Sequence, residues 1–422
     1  MYSEKVPIDY FNNILNDNEK IAIHKENTKD GYVVIYGLST EGYEIAKKII
    51  RVKSKVIIID ENSRLGIVLT PEIVKEFSSI NFLTEEEPLL NLEPFDKAIV
   101  NAPVIFFAPR IRKINQDVKN EIIQKFKELI TYLSKNTAIV INIPLGVGGN
   151  NEIITLIEHQ SGLIVGKDIL YYYHPITYDG NSSPTIIGSG QQTDTDLFTN
   201  RILNLASKND SVHLNTKVGS IVAAELNHSI NVINRYSSLT CINEISKLAK
   251  SREDKKEILY ETQKHIYFDE IANGLFDLRI VSHSLSSSTA LSYLVNGTIK
   301  SIEGFVKSLV DETRSQLKMR EIKASRTKVT ILWTIDNHEI RGDKAIIREL
   351  LESKLRDYIA EVEIQDAENY IPNSLNNIII ACSNFDHTKI IERMNSNVNH
   401  HHHPNYKILI ISANSTFETI EI

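Results

Sequence analysis

AELNHSINVINRYSSLTCINE, residues 224–244, is the stretch whose reading decides the fold. Leu226, Ile230, Ile233, Ser237, Cys241, Ile245 and Leu248 recur at three- and four-residue steps, the spacing that lines one face of an α-helix. The helical pattern extends from about Ser220 to Leu317 as one long amphipathic helix followed by shorter ones. Its apolar stripe reads as core and subunit packing, and Cys241, lying on it, as a buried packing residue.

Outward from this helix the pattern changes. Apolar runs at 32–36, 55–59, 97–101 and 138–141 read as strands, with helix-period segments between them, such as 42–50 and 117–133. Strand and helix in alternation predict a parallel sheet with helices on both faces. Residues 162–205 form a second block, in which HPITYDGNSSPTIIGSG is punctuated by Pro and Gly as strands and loops at a sheet edge. Beyond the central helices a charged interval, 318–328, reads as a linker. After it the alternation resumes through VTILW, a helix at 345–355, AEVEI, NNIIIAC and YKILIIS. The expected class is α/β: an N-terminal Rossmann-like parallel sheet, a central long-helix domain and a smaller C-terminal Rossmann-like domain. The expected divisions are a polar extension at 1–30 and domains at 31–215, 216–320 and 321–422.

Composition bounds the function. A chain of 422 residues exceeds one ordinary core. Its 47 basic and 54 acidic residues are spread along the sequence, without the basic stripe of a nucleic-acid binder. No run has the length of a membrane span, and MYSEKVPIDYFNN lacks a signal-peptide pattern. Two cysteines, Cys241 and Cys382, give no disulfide framework and fit a reducing cytoplasm. The expectation is a soluble cytoplasmic protein, with neither nucleic acid nor membrane as partner.

The turn after the first strand carries the clearest chemistry. VVIYG runs into GLSTEGYEIAKKII and then KVIIID. A dinucleotide fold places Gly-x-Gly-x-x-Gly here, for a tight turn, diphosphate approach and helix–strand packing. Those positions are Gly37, Ser39 and Gly42, so serine fills the middle one. Asp60 ends the second strand, where a carboxylate would bond the adenosine ribose and favour NAD over NADP. The plainer reading is a Rossmann fold with no nucleotide.

Several of these segments resemble the UDP-glucose/GDP-mannose dehydrogenase family of nucleotide-sugar dehydrogenases. That family carries AEL-x-K-x-x-x-N at the start of the central helix and NE near its end; here Ala224, Glu225, Leu226, Asn243 and Glu244 keep the frame. GLSTEGYEIA resembles GLGYVGLPLA, and FDKAIVNAP resembles the strand ending in VPTP that borders the cofactor, which marks Pro103. VINIPLGVGG resembles the STVPVGTT turn, with Asn142 at the threonine position. HPITYDG with PTIIGSG resembles PERIxxG with P-x-IIGG, and NHEIRGDKA resembles T-D-D-I-R-E-S-P-A, with Ile340 and Arg341 in place. The resemblance covers nearly all of the chain after residue 30. It implies NAD as cofactor, a UDP- or GDP-sugar as substrate and a homodimer through the central helix.

The family reaction oxidises a sugar hydroxymethyl group to a carboxylate in two hydride transfers, through a cysteine-bound thiohemiacetal and thioester. This sequence departs from the motif at each catalytic position. The cysteine motif G-G-x-C-x-P-x-D falls on SHSLSSSTA, setting Ser284 at the cysteine and Ser288 at the aspartate. The glutamate and arginine of PER fall on Ile176 and Thr177, the lysine on His228 and the asparagine on Val232. A serine hydroxyl is far less acidic than a thiol, whose reference pKa is about 8.5, and needs an adjacent base. His228 and His283 are the candidate bases, and Ser284 the candidate nucleophile. The plainer reading makes His228 a polar helix residue, His283 and Ser284 loop residues and Asn231 a surface amide rather than a substrate contact. Arg341 reads either as reaching the cofactor or an adjoining domain, or as a surface ion pair. His400–His403 read as a solvated loop, and no metal is expected.

Two functions remain open from sequence. One is an NAD-dependent oxidoreductase acting on the CH–OH group of a nucleotide sugar. The alternative is a catalytically inactive paralogue that binds NAD or a nucleotide sugar, or pairs with an active relative.

Overall fold

A computed structural model describes residues 32–50, 55–85, 90–100, 102–113, 117–176, 186–190, 203, 217–249, 254, 257, 266–285, 289–368, 370, 376–398 and 407–421. The segment 1–30, Thr177 and the tract His400–His403 lie outside the described residues.

The first sheet has nine strands: β1 (Tyr32–Tyr36), β2 (Lys55–Asp60), β3 (Leu65–Leu69), β4 (Leu92–Pro94), β5 (Val104–Phe107), β6 (Ala138–Ile141), β7 (Leu170–Tyr173), β8 (Ile186–Ser189) and β9 (Lys217–Ser220). Their order is β4-β3-β2-β1-β5-β6-β7-β8-β9. The stretch β2-β1-β5-β6-β7 is parallel. Its strands are continuous runs such as VVIY and VIFF, as expected of strands covered on both faces. β3 and β4 are antiparallel additions at one edge. Helices α1 (Thr40–Ile50), α2 (Asp117–Ile130) and α3 (Gly149–Ser161) pack with this sheet.

The strand expected at 97–101 is corrected. Residues Phe95–Ile99 form a short helix, and the buried strand is VIFF, Val104–Phe107. Two apolar runs lie close together here; the fully buried one takes the sheet position beside β1, and Lys97 stays exposed.

The second sheet has five strands: β10 (Lys328–Leu332), β11 (Glu361–Gln365), β12 (Asn376–Ala381), β13 (Lys407–Ser412) and β14 (Thr419–Glu421), in the order β11-β10-β12-β13-β14. All neighbours are parallel except β13 and β14. Between the sheets run α4 (Ile221–Ser246), α5 (Leu275–Ser284) and α6 (Ala290–Met319), and one apolar cluster joins these helices to the second sheet through Phe268, Phe305 and Trp333. α7 (Asp343–Arg356) and α8 (Asn384–Val398) belong to the second sheet's unit. Among the described residues, no helix is long and apolar enough to cross a membrane.

The central helix forms where expected but presents a different face to the core. Val222, Leu226 and Ile230 are 55%, 45% and 54% exposed, and Cys241 is exposed rather than buried. The inward face holds Glu225, His228, Ser229, Val232, Tyr236, Thr240, Asn243 and Ser246. Several of its polar groups are satisfied locally: Ser229 donates to Glu225 O, Thr240 to Tyr236 O, and Ser246 to Asn243 O and Ser415 O. Bonding of this kind removes the penalty that would otherwise keep such side chains out of a core.

Candidate functional site

In both sheets the chain crosses to the far side of the first strand, leaving a crevice at the carboxyl ends where α/β folds place ligands. In the first sheet this crevice lies between β1 and β5. Gly37 leaves β1 at φ +122°, and a Cβ on it would stand 2.3 Å from Ala108 O, so only glycine fits. A Cβ at Gly42 would lie 3.1 Å from Ile35 Cγ2, the close approach of α1 to its strand.

Ser39, at the middle glycine position, does not face a ligand. It is fully buried, and its hydroxyl donates to Ala108 O at 2.6 Å and accepts from Gly42 N at 3.1 Å. That makes it the N-cap of α1. Asp60 accepts from the N–H groups of Asn62 and Ser63 at 3.1 and 3.0 Å, closing its own turn, and pairs with Arg110 at 3.3 Å. The neighbouring Glu61, which the sequence reading passed over, accepts from Leu38 N at 3.0 Å and Arg110 N at 2.9 Å. Its only sequence signal is a second acid at the strand end.

Pro103 precedes β5 and its carbonyl receives Ala138 N, so it sits at the opposite end of the strand from the crevice. Pro109 is the proline beside the turn, its Cα 2.5 Å from a Cβ built on Gly37. The slip follows from the displaced strand. Asn142 follows β6, is buried, and donates to His174 O at 2.9 Å, while among the described residues its Oδ1 has no hydrogen-bond partner.

The crevice is closed from above by residues 335–342. Thr40 N, the first of α1, donates to His338 O at 2.9 Å, and Thr40 Oγ1 donates to Asp336 Oδ2. Glu41 accepts from Ile340 N at 2.8 Å. Arg112 donates to the carbonyls of Asn337 and Glu339 at 2.6 and 2.8 Å, and Ile111 N donates to Ile340 O at 2.7 Å. A dinucleotide diphosphate is held by such N–H groups at a helix N-terminus. Here the donors of Leu38, Thr40 and Gly42 are taken by protein, with Glu41, Asp60, Glu61 and Asp336 around them. In this arrangement of the domains the residues do not fit a dinucleotide.

A buried ionic cluster lies beside that contact. Arg341 makes a fork to Asp277, Nε–Oδ1 2.8 Å and Nη2–Oδ2 3.0 Å, donates to Ile176 O at 2.6 Å and stands 3.7 Å from Glu41. Arg341 is thus a buried junction between three parts of the chain, not a surface ion pair. Asp343 pairs with Arg279 at 2.6 Å, and burial pushes its carboxyl up to about 6. His228 Nε2 is 3.7 Å from Asp277 Oδ2, and among the described residues neither ring nitrogen has a hydrogen-bond partner. Burial holds the imidazole below its ordinary pKa, against the pull of Asp277. Asn231 is half-buried one residue before Val232 on the same helix.

Ser284 and His283 end α5 and border a cleft of about 480 Å³ with Leu145, Gly148, Ile122 and Lys119. They are not paired with each other. Ser284 Oγ donates to Val281 O at 2.8 Å, and His283 Nδ1 faces Arg279 O at 2.9 Å. Lys119 pairs with Glu152, another cleft residue, at 2.5 Å. Glu225, from the AEL frame, reaches the same turn from below: it accepts from Gly148 N at 2.8 Å and from Asn150 N and Nδ2 at 3.1 and 2.7 Å.

No family model matches the chain, and no curated protein matches it. Solved structures do. A UDP-D-ManNAc dehydrogenase from Pyrococcus horikoshii superposes with a TM-score of 0.60 at 15% identity, covering 92% of this chain and 96% of that one. A UDP-glucose dehydrogenase from Pyrobaculum islandicum gives 0.54 at 11% identity, with 92% and 95% covered. The UDP-N-acetyl-mannosamine dehydrogenase from Staphylococcus aureus gives 0.53 at 14%, with 84% and 88% covered. At these identities the likeness is one of fold, and it extends over nearly the whole of each chain.

Proposed function

We propose that this chain is a nucleotide-sugar dehydrogenase-type protein that recognises a UDP- or GDP-sugar without oxidising it. The carrying observation is the state of Ser284, at the position of the family's catalytic cysteine. Its hydroxyl is spent on Val281 O, and among the described residues no base is bonded to it. A hydroxyl without a base to take its proton does not form the covalent intermediate that a four-electron oxidation needs. The lysine and asparagine positions, His228 and Val232, are both buried on the inner face of α4. The ordered resemblance of six segments, and likeness over most of the chain to three UDP-sugar dehydrogenase structures, support the nucleotide-sugar part of the reading.

In this reading, domains at 31–215, 216–320 and 321–422 divide the work as in the family, and the exposed stripe Val222, Leu226 and Ile230 meets a second copy of the chain. Leu226→Glu combined with Ile230→Glu converts a dimer to a monomer in light scattering; an unchanged mass removes the homodimer.

A second reading, the NAD-dependent oxidation of a nucleotide-sugar CH–OH group, is favoured by the cleft that Ser284 and His283 border. It requires residues 335–342 to leave α1. One paired assay separates the two. Thermal shift is read with UDP- and GDP-sugars, with NAD and with NADP, while NADH formation is followed. The expected result is a shift with one nucleotide sugar and no NADH. NADH in proportion to protein overturns the non-oxidising reading, and no shift with any nucleotide sugar overturns recognition.

A further inference from the structure

We infer that residues 335–342 act as a built-in occupant of the diphosphate position, so that seating the second sheet's unit on α1 and binding a dinucleotide exclude one another. Whether or not a nucleotide sugar binds elsewhere, this rests only on the contacts around Thr40. The first N–H of a helix beside a glycine turn is the group an anion seeks. Here it meets the carbonyl of His338, and the adjoining hydroxyl meets the carboxylate of Asp336. A neutral acceptor and a carboxylate thus stand where phosphate oxygens would.

The segment is gripped from both sides. Glu41 takes Ile340 N, and across from it the Arg112 guanidinium collects the carbonyls of Asn337 and Glu339. His338 Nδ1 adds a contact to Asn81 Oδ1 at 2.7 Å. Thr40 and Asp336 are 296 positions apart in the chain, so this is a contact between separately built parts of the molecule. Opening it frees Thr40 N while leaving Gly37, Gly42 and the Ser39 cap in place, since those are fixed by Ala108 and by α1 itself.

The apparent affinity for a ligand that needs the open form scales with the open fraction. The test uses the full chain and NADH as probe, followed by its fluorescence, with hydrogen exchange at the Thr40 amide measured alongside. Wild type is expected to show a protected Thr40 amide and weak NADH binding. Combining Arg112→Ala with Asp336→Ala is expected to lose that protection and tighten the apparent Kd about tenfold or more, in step with the open fraction. If the double variant lacks a cooperative melt, Thr40→Val, which deletes one hydroxyl contact, takes its place with the same direction expected. Loss of protection at equal NADH affinity overturns the inference, because the segment then keeps nothing out. Protection that survives the substitutions overturns it too, because these contacts then do not hold the segment.

Discussion

The two crevices of this molecule start from the same plan and are closed differently. Each lies where the chain crosses over its first strand, and each is flanked by a serine that caps a helix: Ser39 before α1, after the first strand, and Ser383 before α8, after β12. In each, a carboxylate takes a backbone N–H of the turn, Glu61 that of Leu38 and Asp386 that of Thr334. The second crevice is sealed from within its own unit. Asp386 is fully buried and accepts from Thr334 Oγ1 and Ser383 Oγ, both at 2.6 Å. The first is sealed by a segment from elsewhere, anchored by Arg341 on Asp277. A carboxylate inside its own turn is permanent furniture, whereas a lid borrowed from another unit leaves when that unit moves.

The largest effect that would break this comparison is at the anchor. Arg341→Ala leaves Asp277 and Glu41 buried without their cation, and removing one partner of such a pair costs about 3–5 kcal/mol. Guanidinium unfolding measures it, and a loss under about 1 kcal/mol would show that Arg341 anchors nothing.

Next comes the acid behind the anchor. Asp343 has a folded-state pKa of about 6, above its ordinary value of 3.8. Its stabilising contribution is therefore complete below pH 4 and is lost as pH rises through 6. That difference corresponds to about 3 kcal/mol. Asp343→Asn keeps a partner for Arg279 but no titration, so its stability relative to wild type rises between pH 4 and 7. Parallel pH profiles for the two proteins would refute the assignment.

The smallest effect sharpens the comparison itself. Ser39→Ala removes a cap and the bond to Ala108 O, worth about 1 kcal/mol. Ser383→Ala removes a cap and also a donor to the buried Asp386 carboxylate, and is expected to cost more, about 2 kcal/mol. Equal losses would mean that the two caps are equivalent and the second crevice is no more tightly built.

Much of this architecture is legible along the chain because buried parallel strands announce themselves. YVVIY, KVIIID and KILIIS are apolar runs ended by polar or glycine residues, and each forms a strand. Two neighbouring runs within residues 95–107 were harder. Periodicity does not tell a short buried helix from a short buried strand, and the expectation for Pro103 falls with them. The inner face of α4 was hidden for a different reason. Its polar residues are buried because of partners elsewhere, and apolar spacing counts only side chains that need none. Arg341 and Asp277 are 64 positions apart, so their pairing leaves no local mark. The candidate positions 228, 283 and 284 come from the family resemblance, but how each hydroxyl and ring is spent depends on which carbonyl ends beside it.

Glu225 has a consequence for how the chain assembles. The N-terminus of α3 begins at Gly148, in the left-handed region and with no side-chain cap of its own. Among the described residues the Gly148 N–H is met by a carboxylate 77 positions later, on α4. Glu225 therefore ties the first sheet's crossover to the central helix, since without it that helix end is open to water. The first sheet and the central helix are accordingly expected to reach their final form in one step, as a single cooperative unit.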